Sequence, residues 1–319
     1  LKQEVQEITN MVNFLVSVLI PVYNVEKFVE DALLSICNQT YKNLEIIIVD
    51  DYSSDNTYEI VKSIATNDSR IKLFRNDKNL KIVKTLNFAL EQAKGEFIAR
   101  MDGDDISYPD RIKHQLEFLL ENPQYDLVGC HVDTIDENGR KIGSLKLPIS
   151  KKSIDTNIFL SSPVLHIWLA RTSVYKKLKG YREVPGAEDY DFLLRMHTNN
   201  FRFTNLDSFE YAVRIRDGNT TSTIGFSQRL MSNYTVELYK ERVLSGKDSF
   251  SSDNVAFYLK KYSRYEKSFE KSNIYLKQAI LYKSNRRYIK MLFCLVAASF
   301  KSKFQFQYLM RRFIFKFIS

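Results

Sequence analysis

The chain reads as an α/β protein, a mostly parallel sheet flanked by helices and followed by a helical extension. Three observations predict this. Near-continuous apolar runs at Phe14–Ile20, Leu44–Val49 and Phe97–Met101 have the character of strands buried on both faces. Apolar residues at helical spacing separate them, and such alternation means parallel strands joined by right-handed crossovers. Two of the runs end abruptly in acidic residues, Asp50-Asp51 and Asp102-Gly103-Asp104-Asp105. The carboxyl ends of the strands are where an open α/β sheet binds its ligands.

Residues 1–13 form a polar lead-in. The first strand stops at Pro21-Val22-Tyr23-Asn24, and Phe28, Ala32, Leu33 and Ile36 then mark a helix that ends near Asn38. After the second strand, Ile60, Val61 and Ile64 continue as helix, and Ile71–Phe74 make a short third strand. Val83, Leu86, Leu90 and Ala93 form a helical stripe, with Gly95 expected as its C-cap. Beyond the acidic cluster, Pro109 opens a helix to Leu120, and Leu127–Ile135 reads as a strand. Asn138-Gly139 is a hairpin turn that returns the chain through Ile142–Leu147. A helical stretch to Leu160 follows, and a Gly- and Pro-containing lead then ends in Glu188 and Asp189, where a helix first turn tolerates carboxylates.

At 319 residues the chain can bury a sizeable core, and 44% hydrophobic content excludes wholesale disorder. Cys37, Cys130 and Cys294 are odd in number and fit no metal spacing, which points to a reducing compartment. The triplet Asn219-Thr220-Thr221 then carries no weight as a glycan site. No leader pattern and no apolar run of about 18 residues are present, so neither a cleaved leader nor a spanning helix is expected. The net charge of +9 is uneven: from Lys271 to Ser319 there are eleven Lys or Arg and no Asp or Glu. That asymmetry points to an anionic partner, either a membrane surface or nucleic acid.

Three carboxylates within four residues repel one another, so a fold holding them at a strand end needs a compensating cation. Carboxylate oxygens suit Mg2+ or Mn2+, which bridge short acidic motifs to substrate phosphates. For an isolated Asp-x-Asp the plain alternative is a solvated loop. With a second acidic strand end in the same sheet, the pair describes a nucleotide site, one carboxylate for base or ribose and the other set for the metal on the diphosphate. Gly-rich dinucleotide and P-loop motifs are absent. An EF-hand fails too, because Ser107 stands where it needs Gly and Lys113 where it needs Glu.

Val16-Ser17-Val18-Leu19-Ile20-Pro21-Val22-Tyr23-Asn24, Val49-Asp50-Asp51, the segment Gly95 to Asp105, and Gly186-Ala187-Glu188-Asp189-Tyr190-Asp191 together resemble family 2 glycosyltransferases. The match runs in order from about Val16 to Ser222. The resemblance implies a GT-A fold: a Rossmann-like, mostly parallel sheet flanked by helices, with residues 14–225 as the transferase domain and 226–319 as a helical extension. It implies a metal-dependent inverting transferase of surface-polysaccharide type, using a nucleotide-sugar, usually UDP-linked, and Mn2+ or Mg2+. Pro21 and Tyr23 would border the base, and Asp51 would hydrogen-bond it. Asp102, with Gly103, would contact the ribose or sugar, Asp104 would hold the metal, and Asp189 would be the base for the acceptor hydroxyl.

The chain departs from the family pattern at several places. Lys81 stands where Gly is frequent and could reach the diphosphate as a point charge, a surface lysine being the alternative. Leu86 replaces a frequent Arg. Arg216 stands where His is common, which puts a metal-assisting His there in doubt. His166, Glu188 and Arg216 are assigned to the acceptor or pyrophosphate side, and His114, His131 and His197 to structure or solvent. Two other functions predict different residues. A non-catalytic nucleotide-sugar-binding module should lack Asp104 or Asp189, and both are present. A nucleic-acid-binding protein should carry its motifs in a positive field, whereas these motifs are acidic. The expected partners are therefore a nucleotide-sugar donor, a saccharide or polyprenyl-linked saccharide acceptor, and an anionic membrane surface reached through residues 271–319. The expected location is cytoplasmic, peripheral on the inner face of the membrane.

Overall fold

The computed structural model describes residues 14–216 and 225–318, without the side chains of Ser284 and residues 315–318. The lead-in at 1–13, the Asn219 triplet and the end of the family resemblance at Ser222 lie outside the described residues. The front half of the sheet follows the sequence closely. Strands β1 (Val16–Val22), β2 (Leu44–Asp50), β3 (Ile71–Arg75) and β4 (Phe97–Arg100) are parallel, with β1 paired to both β2 and β4. Helices α1 (Val29–Cys37), α2 (Thr57–Ala65) and α3 (Lys81–Gln92) connect them.

The period-two alternation of β1 sends Val16, Val18 and Ile20 to one core and Leu19 to the other. The first core is closed by α1 and by Ile112, Leu116 and Leu119 of α4 (Arg111–Glu121), the second by Val83, Leu86 and Ala89 of α3. A strand buried on both faces has no polar side, which is why it reads as an unbroken apolar run.

The back half is mixed. Strands β5 (Ile106–Ser107), β6 (Leu127–Ile135), β7 (Lys141–Leu145), β8 (Leu169–Arg171) and β9 (Phe203–Arg214) complete a sheet of order β3-β2-β1-β4-β8-β6-β9-β5, with β7 on β6. Strand β8 is antiparallel to β4 and β6, whereas β9 runs parallel to β6. The sequence pattern predicted neither the small β5 and β8 nor the long β9. The Asn138-Gly139 hairpin is present, with Gly139 at φ 78°.

Gly95 corrects one expectation. Helix α3 is capped by Ala93 in an extended conformation, so Gly95 is no C-cap. A β-carbon on Gly95 would lie 2.6 Å from the Leu15 carbonyl oxygen and 2.7 Å from Ser17 N, and its own N–H donates to Ser17 Oγ at 2.8 Å. Glycine is required there because the chain passes directly over β1.

Helices α5 (Lys151–Asn157), α6 (Thr172–Leu178) and α7 (Glu188–Thr198) follow in the back half. The extension comprises α8 (Gly225–Ser245), α9 (Ser252–Tyr262), a 3-10 turn, α10 (Glu266–Ser284), α11 (Tyr288–Lys301) and α12 (Lys303–Ile318). It is not a detached module. Val236 and Tyr239 of α8 enter the second core, and Leu230 and Phe304 pack with Val184 and Ala187, just before α7. No helix among the described residues is long and apolar enough to cross a membrane.

Gly95→Ala is expected to lower stability by about 2 kcal/mol, since backbone on β1 must move to admit the methyl group. Gly139→Ala, facing open space but at positive φ, should cost about 1 kcal/mol. Urea-unfolding midpoints of the two variants would show this order.

Candidate active site

The acidic ends of β2 and β4 stand on either side of β1. The loops after β1 and β2 are joined by hydrogen bonds. Asn24 N donates to Ser53 Oγ at 3.0 Å, Val25 N to Thr57 Oγ1 at 2.8 Å, and Ser54 N to Asn24 Oδ1 at 2.9 Å. Pro21 is buried in β1 opposite Val49, while Tyr23 is 46% exposed at the rim. Asp51 is 5% exposed, and its carboxylate accepts from Asn76 Nδ2 at 2.8 Å, Leu80 N at 2.7 Å and Lys81 N at 2.8 Å. A carboxylate has about four acceptor sites, so three are already taken, two of them by the start of α3, where the macrodipole favours negative charge. Lys81 is exposed and adopts φ 71°, a left-handed backbone that explains why glycine suits this position. An open cleft of about 500 Å³ lined by Tyr52, Ser53, Ser54, Arg75, Asn76 and Asp77 adjoins this loop pair.

Gly103 links the two acidic ends: a β-carbon there would meet Val22 Cγ1 at 2.5 Å, so glycine lets the acidic turn close on the end of β1. Beyond it the site is a field of carboxylates matched by few cations. Asp102 faces His166 Nε2 at 3.0 Å through Oδ2 and the Arg100 guanidinium at 3.5 Å through Oδ1. The same guanidinium lies 3.5 Å from Glu188, and His166 Nδ1 lies 3.9 Å from Asp189 Oδ2. Asp189 Oδ1 also accepts from Tyr190 N at 2.7 Å. Asp104 Oδ2 accepts from Arg216 Nε at 2.6 Å, and Asp105 Oδ1 accepts from the Arg214 backbone N–H at 2.8 Å. The Asp102 N–H donates to Tyr211 Oη at 3.3 Å.

Burial by itself would raise the Asp102 pKa, but His166 and Arg100 hold that carboxyl far below the usual range. Asp104 is raised by burial and by Asp102 despite Arg216, and Asp105 goes well above its ordinary value by burial beside both neighbours. Burial and Asp189 raise Glu188. For His166, burial works against the charged ring, yet Asp102 more than offsets it and raises the pKa.

The structure therefore brings Asp102, Gly103, Asp104, His166, Glu188, Asp189 and Arg216 together, with Pro21, Tyr23, Asp51 and Lys81 in the adjoining loops. Among the described residues, the cluster with metal-binding geometry is Asp102, Asp105 and His166, whose ligand atoms lie within 4.8 Å of one another. Asp104, the residue expected to hold the metal, instead faces Arg216. Sequence reasoning passed over Arg100, Asp105 as an individual ligand, and Tyr211. Arg100 had a visible signal, a single charge inside the apolar run Phe97–Met101. Tyr211 had none.

The model for glycosyl transferase family 2 matches residues 17–179. The O-antigen biosynthesis glycosyltransferase WbnJ of Escherichia coli is 30% identical over 236 residues, covering 72% of this chain and 91% of that protein. The crystal structure of Staphylococcus aureus TarS residues 1–349 with UDP-GlcNAc superposes with TM-score 0.61 at 24% identity, over 77% of this chain and 71% of that one. The mannosyltransferase PcManGT of Pyrobaculum calidifontis, in complex with GDP-Man and Mn2+, gives TM-score 0.53 at 18% identity, over 90% and 86%. The two structural likenesses establish the shared GT-A fold. The sheet, the acidic strand ends and these matches define a glycosyltransferase. Its chain belongs to glycosyl transferase family 2.

Arg100→Met should cost about 3 kcal/mol or more near neutral pH, because Asp102 and Glu188 lose a buried counter-charge. Asp102 has a depressed folded pKa, so the stability it contributes is full above the ordinary carboxylate value and lost as pH falls toward the folded one. The gap between wild type and variant should therefore narrow below about pH 4, as chemical denaturation across pH would show.

Proposed function

We propose that the enzyme is a metal-dependent, inverting glycosyltransferase. It moves a sugar from a UDP-linked donor to a hydroxyl of a saccharide or lipid-linked saccharide, in assembly of a surface polysaccharide such as O-antigen, capsule or lipopolysaccharide. One observation carries this reading. A single imidazole, His166, stands between Asp102 at the end of β4 and Asp189 in the first turn of α7, so donor-side and acceptor-side carboxylates face the same space. The UDP-sugar bound by TarS and the O-antigen role in the WbnJ name support the donor and the pathway.

Pro21 and Tyr23 border the base, and Asp51 accepts from it with its remaining lone pair while fixing the loop at Lys81. The Lys81 ammonium extends toward the diphosphate. Asp102 and Gly103 form the floor under ribose and sugar. Carboxylates with one imidazole are a donor set suited to Mn2+ or Mg2+. Asp104 is the residue assigned to that ion, with Asp102, Asp105 and His166 offering ligand atoms beside it. When bound, the ion stabilises negative charge developing on the diphosphate leaving group. Asp189 takes the proton of the acceptor hydroxyl as that oxygen attacks the anomeric carbon opposite the leaving group. His166 and Glu188 orient Asp189 and line the acceptor side. Residues 14–225 act as the transferase domain, after the lead-in at 1–13, and 226–319 as the extension.

Asp189→Asn should leave UDP affinity within about twofold and cut sugar transfer by at least about 10²-fold. Calorimetry and a nucleoside-diphosphate release assay measure the two effects. Near-wild-type transfer would move the base elsewhere.

The extension supports a location at the anionic inner face of the cell membrane. Helix α11 buries Cys294 and Ala298 but exposes Ile289, Leu292, Phe293, Val296 and Phe300 on one stripe. Lys290, Lys301 and the Arg286-Arg287 pair flank it. Rings and aliphatic chains beside basic groups are the composition of an interfacial helix. Each Lys or Arg near such a surface contributes about 1 kcal/mol. The protein should float with anionic vesicles at low salt, and an Ile289→Gln, Phe293→Gln, Phe300→Gln variant should stay in the dense fraction. Equal flotation of the two would remove α11 as the docking face.

A further inference from the structure

We propose that Arg229, Arg311 and Arg312, gathered around Tyr308 where α12 lies along α8, form a phosphate-binding site that takes the diphosphate of a lipid-carried acceptor. The inference rests on the reading of the acceptor as a lipid-linked saccharide. It gives the extension a part in holding that acceptor.

The two helices meet in register. Phe304 packs on Phe226, Tyr308 on Arg229, and Arg311 Nη1 donates to Asn233 Oδ1 at 2.8 Å. The Arg229 guanidinium lies 3.7 Å from the centre of the Tyr308 ring. Arg312 lies 5.6 Å from the same centre, and its Nη1 donates to Tyr308 Oη at 2.8 Å. Three guanidinium groups thus gather at one phenol, and among the described residues no Asp or Glu pairs with any of them. Nearer the C-terminus of α8 the pattern is different, for there Arg242 and Arg182 share Asp248.

Such a cluster is costly without an anion. Burial first, and then the like charges of Arg311 and Arg312, lower the Arg229 pKa against the opposing effect of Tyr308. An aromatic face attracts a cation but supplies no counter-charge. The buried Nε of Arg229 makes no hydrogen bond. Gln305, fully buried one turn before Tyr308, has no partner for either atom of its amide. Buried charges need pairing and buried polar groups need hydrogen bonds. A phosphate answers both demands, because its oxygens fit guanidinium forks. Arg312 is exposed, and Arg229 and Arg311 are only partly covered, so the cluster is open to a ligand.

The surroundings favour a phosphate carried on lipid. Phe306 and Met310, on one side of α12, are 50% and 41% exposed, so apolar surface adjoins the arginines. Toward the transferase domain, Phe304 packs with Ala187, just before α7. Arg311 is close enough to Tyr190, the neighbour of Asp189, for its charge to oppose the rise that burial gives the Tyr190 pKa. A diphosphate that joins an apolar chain to a saccharide would be held here between an apolar face and the helix bearing Asp189.

The test uses the full chain without divalent cation, at physiological salt, where attraction to a charged surface is screened. The probes are inorganic pyrophosphate, followed by calorimetry, and phosphatidylcholine vesicles carrying polyprenyl diphosphate, followed by flotation. Wild type should bind both, and should prefer these vesicles to phosphatidylglycerol vesicles of equal charge. Arg229→Gln and Arg312→Gln should each weaken both interactions by about tenfold, as expected for a lost charge-assisted pair. Arg229→Gln should also keep or raise the urea midpoint, since the charge removed has no carboxylate partner, whereas a purely structural arginine would lower it. Unchanged binding in both variants would overturn the proposal. Equal losses on phosphatidylglycerol vesicles would overturn it too, by making the cluster a general contact with anionic surfaces. Pyrophosphate binding with no preference for the polyprenyl diphosphate vesicles would overturn the lipid-carried source. UDP binding with Mn2+ reports separately on the transferase reading: if it persists while both phosphate probes fail, only this inference falls.

Discussion

Like charge packed at low exposure is the constraint on which this molecule is built. Asp102, Asp104, Asp105, Glu188 and Asp189 converge on one space, and Arg100, Arg216 and His166 face them. Carboxylates that close and that buried can stay ionised only beside fixed positive charge. Much of the surrounding architecture follows. A guanidinium is threaded into the apolar β4 so that it meets both the β4 end and the first turn of α7. The long β9 brings Arg214 and Arg216 back across the sheet to the acidic turn.

The end of β2 obeys a different rule. There the carboxylate of Asp51 is tied into the backbone at Leu80 and Lys81, so a side chain from one element caps another. A helix N-terminus carries unsatisfied N–H groups, and an acidic side chain from another strand satisfies them. The site loop and the start of α3 are thereby one unit. Around α7, Arg182 bridges Asp191 at 2.5 Å and Asp248 at 2.8 Å, and Arg242 of α8 also pairs with Asp248. The helix bearing Asp189 is thus held from beneath by ion pairs reaching into the extension.

Legibility in the sequence tracked the locality of the signal. Strands β1, β2 and β4 announced themselves because burial on both faces leaves unbroken apolar runs, and the acidic turns stood out at their ends. Strand β9 did not. Its residues Asn205, Asp207 and Glu210 interrupt any alternation, and its pairing with β6 carries two irregularities, so no period survives to be read. The Arg216–Asp104 pair joins residues 112 positions apart, and nothing local marks either as the other's partner. Gly95 was recognisable as a special position but for the wrong reason, since the demand comes from β1 crossing beneath it. Lys81 shows the reverse case: the family preference for glycine was noted, and the left-handed backbone supplies its cause.

The shared packing of Val184 and Ala187 with Leu230 and Phe304 has a consequence for how such enzymes can be recombined. The residues that lead into α7 are covered by apolar side chains of the extension. A chimera that grafts a foreign extension after residue 225 would have to match this seam, or leave the lead into α7 resting on a void. The segment that leads into α7 and the extension would therefore have to be exchanged together, not the tail alone.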